Sequence, residues 1–491
     1  MMKPRPWSYL FLLLLVAGTA SADRRIGTWY GTKRVMVVEP DSAWTPMLGE
    51  VSPVIYLNRC TGGCMVTGSD HSDAKLGLSP AIQAGTSILT EFQNAAGQTG
   101  AAADPLWNDV VQCLQEVYSP FNMTVTDVKP TTGQWTELMI AGVPQDVGLP
   151  NEVLGIAPVH SDCQAHDNAI SFSFANHETV HDVYNICWTA AQESAHNFGL
   201  DHEYKFANGD SACNDPMTYR FDCGGQKFFR DEGAFCGEDM VRPCSCPNQT
   251  QNSHAKLLSI FGPGTPITAA PDATILAPAA GSTVANGATI QVRSKAQRGV
   301  AHLDLYVNGH MWTTAKGARF GQDGQPETTY AIALPATVPD GVMDLVVKSY
   351  DDINVEGESA AVTVTKGAPC ASAATCATGQ KCEAGKCFWD APTGVLGQPC
   401  EYNEFCVSGM CQDTSDGGYC SQSCVTNSAD ACPANFNCQQ TTDAAGACLP
   451  NDTGGGGCCS VGHESGSTSF ARILLGMFVF GFVVLRRKAR R

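Results

Sequence analysis

The chain has 491 residues, 24 of them cysteine, and carries a formal charge of −18. That acidity excludes a nucleic-acid partner, whose phosphates it repels. So many cysteines exclude a reducing compartment, where they could not stay paired.

Lys3 and Arg5, an apolar run over residues 10–16, and then Ala20, Ser21 and Ala22 make the basic head, hydrophobic segment and cleavage site of a secretory signal peptide, residues 1–22. The run is too short to span roughly 30 Å of hydrocarbon, so the mature chain is expected to start near Asp23, outside the cell. Ten cysteines lie between Cys60 and Cys246, twelve between Cys370 and Cys448, and two are adjacent at Cys458 and Cys459. Both large groups are even, as complete pairing requires, but spacing leaves the connectivity open. The lack of any C-x-x-C argues against a cysteine zinc knuckle.

Residues 23–262 mix strand and helix patterns. The runs 54–57 (VIYL), 122–126 (NMTVT), 138–141 (LMIA) and 169–174 (AISFSF) predict strands, and 105–118 predicts an amphipathic helix. Strands and helices mixed over this length predict an α+β domain. Within it, residues 188–202 (WTAAQESAHNFGLDH) carry the chemistry. On a helix, Gln192 and His196 fall one turn apart on one face with Glu193 beside the first. In that arrangement two ligands hold a metal and a carboxylate serves as base. Gly199 lets the helix end in a sharp turn, and His202 then returns toward the metal. Met217 and Tyr219 follow in 215–219 (DPMTY), the methionine fifteen residues beyond His202.

Together these residues resemble the metzincin family of zinc peptidases, whose pattern H-E-x-x-H-x-x-G-x-x-H they repeat with Gln192 in place of the first histidine. Residues 118–126 also look like the strand that precedes the active site of secreted metzincins, and the resemblance covers roughly residues 51–261. It implies a catalytic Zn2+ held by His196, His202 and Gln192, with Glu193 as base and a protein or peptide substrate. It further implies that Met217 floors a tight turn beneath the metal and that Tyr219 reaches the metal or the reacting carbonyl. Glutamine offers zinc a neutral oxygen where imidazole or thiolate is preferred, so the implied site is an attenuated one.

A rival motif, 177–181 (HETVH), is a complete H-E-x-x-H. It resembles the gluzincin pattern, which implies His177 and His181 as ligands, Glu178 as base and Asp201 or Glu203 as the third ligand. On one continuous helix His181 and His196 would stand about 22 Å apart, too far to share an ion. A break in the helix would let His177 or His181 replace the missing ligand. His71, between Asp70 and Asp73, and His160 and His166, near Cys163, read as loop residues. The stretch before Val51 leaves little room for an inhibitory propeptide.

Glycine and proline make residues 263–272 a predicted linker. Residues 273–367 give strand signals alone, at 289–293, 303–307, 329–334, 345–350 and 361–365, and Asn308-Gly309 between two of them predicts a hairpin. The spacing predicts an all-β sandwich, which resembles the Ig-like modules appended to bacterial exoenzymes. Residues 368–450 hold too little apolar material for a core, so disulfides are expected to hold a small disulfide-rich module. A Gly/Cys linker, 451–469, leads to a hydrophobic segment, 470–485, and a basic tail, 486–491. Such an end can anchor in a thin membrane with its arginines in the cytoplasm. It also resembles the C-terminal sorting tags of myxobacterial surface proteins, which implies processing at Cys458 or Cys459 and tethering to the outer cell surface.

Two functions from different classes follow. One is an extracellular, surface-associated zinc endopeptidase, attenuated by Gln192. The other is a catalytically inactive metzincin-fold protein that serves adhesion or binding, its downstream modules making the contacts.

Overall fold

The computed structural model describes residues 33–39 and 51–451, apart from 83–84, 161–162, 179–180, 221–224, 246–247, 319–327, 415–416, 425–431 and 441–445. The expected signal peptide, the Cys458–Cys459 pair, the hydrophobic segment and the basic tail lie outside the described residues. The chain divides into two compact units, Met1–Phe388 and Trp389–Arg491. It is mostly β, with three α-helices among the described residues, and so more strand-rich than the α+β expectation.

The first region contains strands β1 (Lys33–Glu39), β2 (Val54–Asn58), β3 (Cys64–Gly68), β4 (Leu78–Ser79) and β5 (Thr86–Leu89), then helix α1 (Asp104–Tyr118). Strands β6 (Thr124–Thr126), β7 (Thr136–Ile140), β8 (Val153–His160) and β9 (Ile170–Ser173) precede helix α2 (Val183–His196). Strands β10 (Glu203–Phe206), β11 (Ala234–Cys236) and β12 (Thr250–Gln251) and helix α3 (Ser253–Phe261) complete it. Six strands form one sheet in the order β1-β8-β9-β7-β2-β6. Strands β8 and β9 pair antiparallel, and the other neighbours pair parallel. Both faces are covered, which is why β7, β8 and β9 are buried without alternation. Ile55, Leu57, Leu138 and Ile140 face a core shared with α1 and α2, while Tyr56, Met139 and Phe172 face the small sheet of β3–β5.

Helix α1 buries Trp107, Val110, Leu114, Val117 and Tyr118 at helical spacing, with Pro105 in its first turn. Asp182 caps α2 by accepting the Asn185 N–H at 2.9 Å. The Cys113–Cys187 disulfide joins the two helices, and the Tyr118 hydroxyl meets Ser194 Oγ at 2.7 Å.

The sandwich is built from β13 (Asp272–Ala277), β14 (Thr283–Val284), β15 (Thr289–Lys295), β16 (His302–Val307) and β17 (His310–Lys316), followed by β18 (Thr328–Ala333), β19 (Gly341–Tyr350), β20 (Glu356–Glu358) and β21 (Val362–Lys366). One sheet runs β13-β15-β18 and the other β14-β21-β19-β16-β17, with β20 on β19. Strict alternation along β19 sends Met343, Leu345 and Val347 into the core with Ile290, Val292, Leu303 and Leu305. The predicted hairpin forms: Asn308 and Gly309, at φ 50° and 86°, are the two left-handed residues that a type I′ turn requires. The predicted linker is docked rather than free, since the Gly264 N–H donates to Pro120 O at 2.8 Å and a Cβ there would lie 2.2 Å from Phe121 O.

Arg230 of the first region and Arg298 and Asp352 of the sandwich meet where these two regions touch, each side chain about 1% exposed. Arg298 Nε donates to Asp352 Oδ1 at 2.7 Å and Arg230 Nη1 to Oδ2 at 3.1 Å. Burial pushes the Asp352 carboxyl up, but Arg298 and Arg230 outweigh it and hold the group down at about 2. A depressed carboxylate stabilises the fold above its unfolded value, about 4, and that contribution is lost as pH falls toward the folded value. Between those limits wild-type stability should fall by roughly 2 kcal/mol more than that of Asp352→Asn, read by denaturant titration. Parallel curves would show that the pair carries no such linkage.

The cysteines of 370–448 pair locally, as Cys370–Cys382 with Cys376–Cys387, Cys400–Cys411 with Cys406–Cys420, and Cys424–Cys438 with Cys432–Cys448. Each foursome joins first to third and second to fourth. The first foursome belongs to the compact unit that includes the sandwich, and the other two to the second unit. Among the described residues no helix is long and apolar enough to cross a membrane.

Candidate metal centre

Helix α2 presents Gln192, Glu193 and His196, all fully buried. His196 closes its last turn, and Gly199, at φ +77°, reverses the chain. No other residue fits there, because a Cβ would lie 2.1 Å from the backbone carbonyl oxygen of Cys163. The reversal brings His202 back so that its Nε2 faces His196 Nε2 at 3.1 Å, the ring centroids 4.7 Å apart.

The other nitrogen of each ring is already committed. His196 Nδ1 lies 2.7 Å from Leu200 O, which can only accept, so it carries that ring's hydrogen. His202 Nδ1 lies 2.8 Å from Glu238 Oε1 and donates to that carboxylate. Two lone pairs therefore converge, an arrangement that a shared cation relieves. Burial, and then the neighbouring His202, push His196 down to about 3, which favours the neutral ring that a metal requires. Nitrogens 3.1 Å apart fit two zinc bonds of about 2.0–2.1 Å meeting at roughly 100°. Carbonyl and carboxylate acceptors behind metal-binding imidazoles are the usual way such rings are oriented.

Glu238 is held in turn. Arg242 Nη2 donates to it at 2.5 Å and Nε at 3.0 Å, while both Arg242 Nη atoms reach Asp201 at 2.6 and 2.7 Å. The Cys236–Cys244 disulfide brackets this loop, and the Gly237 N–H donates to His202 O at 3.0 Å. Burial pushes the Glu238 carboxyl up, but hydrogen bonds from His202 and Arg242 outweigh it and hold the group well below the usual range. Asp201, His202 and Glu238 stand close enough to share an ion; here the Arg242 guanidinium bonds to both carboxylates, so they act as supports. The other groups of that kind among the described residues are cysteines, and their sulfurs are bound in disulfides.

Met217 is buried in the turn 215–219 and packs in the core that α2 shares. Its N–H donates to Asp215 Oδ1 at 2.8 Å, and its carbonyl accepts the Glu203 N–H at 2.8 Å. Pro216 O accepts from Trp188 Nε1 at 2.9 Å and from Gln192 Nε2 at 2.8 Å. That leaves Gln192 Oε1 buried, with no hydrogen-bond partner among the described residues, as the donor this side chain can offer a metal. The half-buried Tyr219 sets its ring 4.6 Å from that of His202. The Glu193 carboxylate lies against Gly155 of β8, where a Cβ would come within 2.6 Å of Oε1.

His177 and His181 are not brought together as a metal pair. His177 closes a 3-10 turn, Ala175–His177, the next residue, Glu178, has extended ψ 127°, and α2 begins only at Val183. His177 Nε2 faces Asn151 O at 2.5 Å, and His181 Nε2 faces Gln93 O at 2.8 Å. Of the two histidines read as loop residues, His166 lies in a loop, as read, while His160 is corrected to the end of β8; both are buried, with their rings 5.6 Å apart. His71 stays in an exposed loop beside Asp70, at 2.8 Å. Sequence reasoning missed Glu238, Arg242 and Gly155. The disulfide-bracketed loop is the one local signal that could have found the first two.

No curated protein matches the sequence. Residues 271–347 match the bacterial Ig domain family. Among solved structures, the chain is similar to the fibronectin(III)-like modules of Clostridium thermocellum CbhA (21% identity, 19% of this chain and 94% of that one, TM-score 0.15). A Jonesia denitrificans lytic polysaccharide monooxygenase is 13% identical over 26% of this chain and 75% of its own, with TM-score 0.15. OgpA from Akkermansia muciniphila is 10% identical over 67% of this chain and 96% of its own, with TM-score 0.20. At these TM-scores none bears on the fold or activity of this chain. The Ig-like sandwich and the many disulfides mark an extracellular protein.

Proposed function

We propose that residues 23–262 form a zinc peptidase domain of metzincin type, attenuated at its first ligand, that cleaves extracellular proteins. One observation carries this reading: the His196 and His202 Nε2 atoms converge at 3.1 Å with both Nδ1 hydrogens committed elsewhere. His196 and His202 would hold the ion, with Gln192 Oε1 as third protein donor. Zinc bound there supplies Lewis acidity toward water and the scissile carbonyl. Glu193 takes the proton of the attacking water and delivers it to the leaving amine. Tyr219, beside His202, donates to the developing oxyanion. We propose also that residues 451–491 tether the protein to the cell surface, as a sorting tag processed at Cys458 or Cys459.

The second reading, an inactive binding protein, is favoured by one feature. The Gln192 amide shares Pro216 O with Trp188, so the residue at the first ligand position already serves to hold the turn 215–219.

Metal analysis of the mature chain, purified with zinc, tests the proposal. Wild type and His181→Ala are expected to retain about one zinc per chain, and His196→Ala to lose it. Gln192→His should tighten zinc binding by about tenfold or more. Zinc retained by His196→Ala, or lost with His181→Ala, would overturn this placement.

A further inference from the structure

The buried ions between the first region and the sandwich do more than join them. Arg298 follows β15 and Asp352 follows β19, so both belong to sandwich loops. Arg298 Nη2 donates to Phe229 O at 3.1 Å and to Asp352 Oδ2 at 3.0 Å, and Arg230 Nη1 donates to Arg298 O at 2.7 Å. The Arg298 guanidinium lies 4.6 Å from the centre of the Phe228 ring. Gln297 adds bonds of 2.7 Å to Glu116 and 2.9 Å to Gln226. The sandwich thus grips residues 226–230 through side chains and backbone together.

That segment is itself bonded to residues 214 and 215, at the start of the turn 215–219 whose Met217 carbonyl binds the residue after His202. The Arg230 N–H donates to Asp215 Oδ2 at 2.8 Å, and the Phe228 N–H donates to Asn214 O at 3.0 Å. Asp215, fully buried, accepts Ser253 Oγ at 2.6 Å on one oxygen and the Met217 N–H at 2.8 Å on the other. Met217 O in turn accepts the N–H of Glu203, the residue after His202. Every link from Asp352 to His202 is a buried hydrogen bond, an ion pair or one peptide unit.

We propose that the sandwich is an integral part of the metal centre, Arg298 and Asp352 acting as positioning residues that hold the Met217 turn in place beneath His196 and His202. This rests on the zinc reading for its chemical meaning, but the mechanical link stands on the bonds just described. Neutralising Asp352 removes the one carboxylate that both buried guanidiniums bind, leaving Arg298 with only Asp351 at 4.0 Å and Arg230 with Asp215, which its backbone N–H already engages. Removing one partner of a buried ion group is far more disruptive than trimming apolar surface.

The test uses the full mature chain, Asp352→Asn, and Val347→Ala as a control that weakens the sandwich core away from the interface. Hydrogen exchange is followed by mass spectrometry over 203–219, and affinity is measured with zinc alone. Asp352→Asn is expected to speed exchange over 203–219 about tenfold or more and to weaken zinc by about 10–100-fold. Val347→Ala should leave both unchanged. Should Asp352→Asn not fold, Gln297→Ala loosens the same grip more gently, with a several-fold rise in exchange over 203–219 expected. Faster exchange confined to the sandwich, or equal effects from the control, would overturn the proposal. If wild type binds no zinc, the peptidase reading fails while the exchange result still decides whether the sandwich holds the turn.

Discussion

Glu193→Gln is expected to lower the rate of casein hydrolysis by about 10³-fold or more while leaving the zinc content unchanged. The change removes a base and keeps shape and volume, so a loss of rate without loss of metal isolates proton transfer. Glu193 neighbours Gln192 in sequence and lies one turn before His196, and its carboxylate lies against Gly155 because that residue lacks a side chain. Gly155→Ala would place a Cβ within 2.5 Å of Glu193 Cγ, so it should reproduce much of the loss by displacing the base. Hydrolysis that survives Glu193→Gln would remove this residue from the mechanism. A zinc-loaded wild type that cleaves nothing would favour the binding-protein reading, and the Gln192–Pro216 bond would then be the reason the fold persists without chemistry.

Gly199→Ala should cost about 4 kcal/mol or more and release zinc with it. Two penalties coincide at this position. Its φ of +77° is one that L-residues rarely adopt, and the new methyl would meet the Cys163 carbonyl oxygen at 2.1 Å. Cys163 is disulfide-bonded, so that backbone cannot retreat freely. Gly148 provides the comparison, with φ +75° but nothing within 4 Å of a new Cβ. Gly148→Ala should therefore cost only the conformational part, about 1–2 kcal/mol. Chemical denaturation of both variants separates the terms; similar losses would mean that the carbonyl contact relaxes easily.

The residues of the candidate centre that lie close in sequence were legible from spacing. Gln192, Glu193, His196, Gly199 and His202 form one helix end and its turn, whose geometry is set by helical period and by glycine. Met217 was legible through its turn. What supports them was not. Glu238 lies 36 positions from His202, and Gly155 lies on a strand whose glycine and proline broke every strand pattern. That strand, β8, is paired on both sides and buried throughout, so it has no alternation to read. The pentapeptide 177–181 misled for a related reason. Its i, i+4 spacing carries meaning only on a helix, and Glu178 is extended. The sandwich was the most readable part, because one buried and one open face along β19 write the strand period into the residues. Disulfide partners were not readable at all, since the choice depends on which strands pair.

Strand β1 matters for anyone shortening this protein. It runs along the outer edge of β8 from Lys33 paired with Val153 to Glu39 paired with His160, so the stretch before Val51, read as too short for an inhibitory propeptide, supplies a structural strand. A form that begins at Val51 bares a row of amide and carbonyl groups along the mostly apolar β8, next to Gly155 and Glu193. Such edges recruit other chains. Sparse solubility or self-association of that short form would then reflect a lost edge cover, not a misfolded domain, and the remedy is to begin upstream of Lys33.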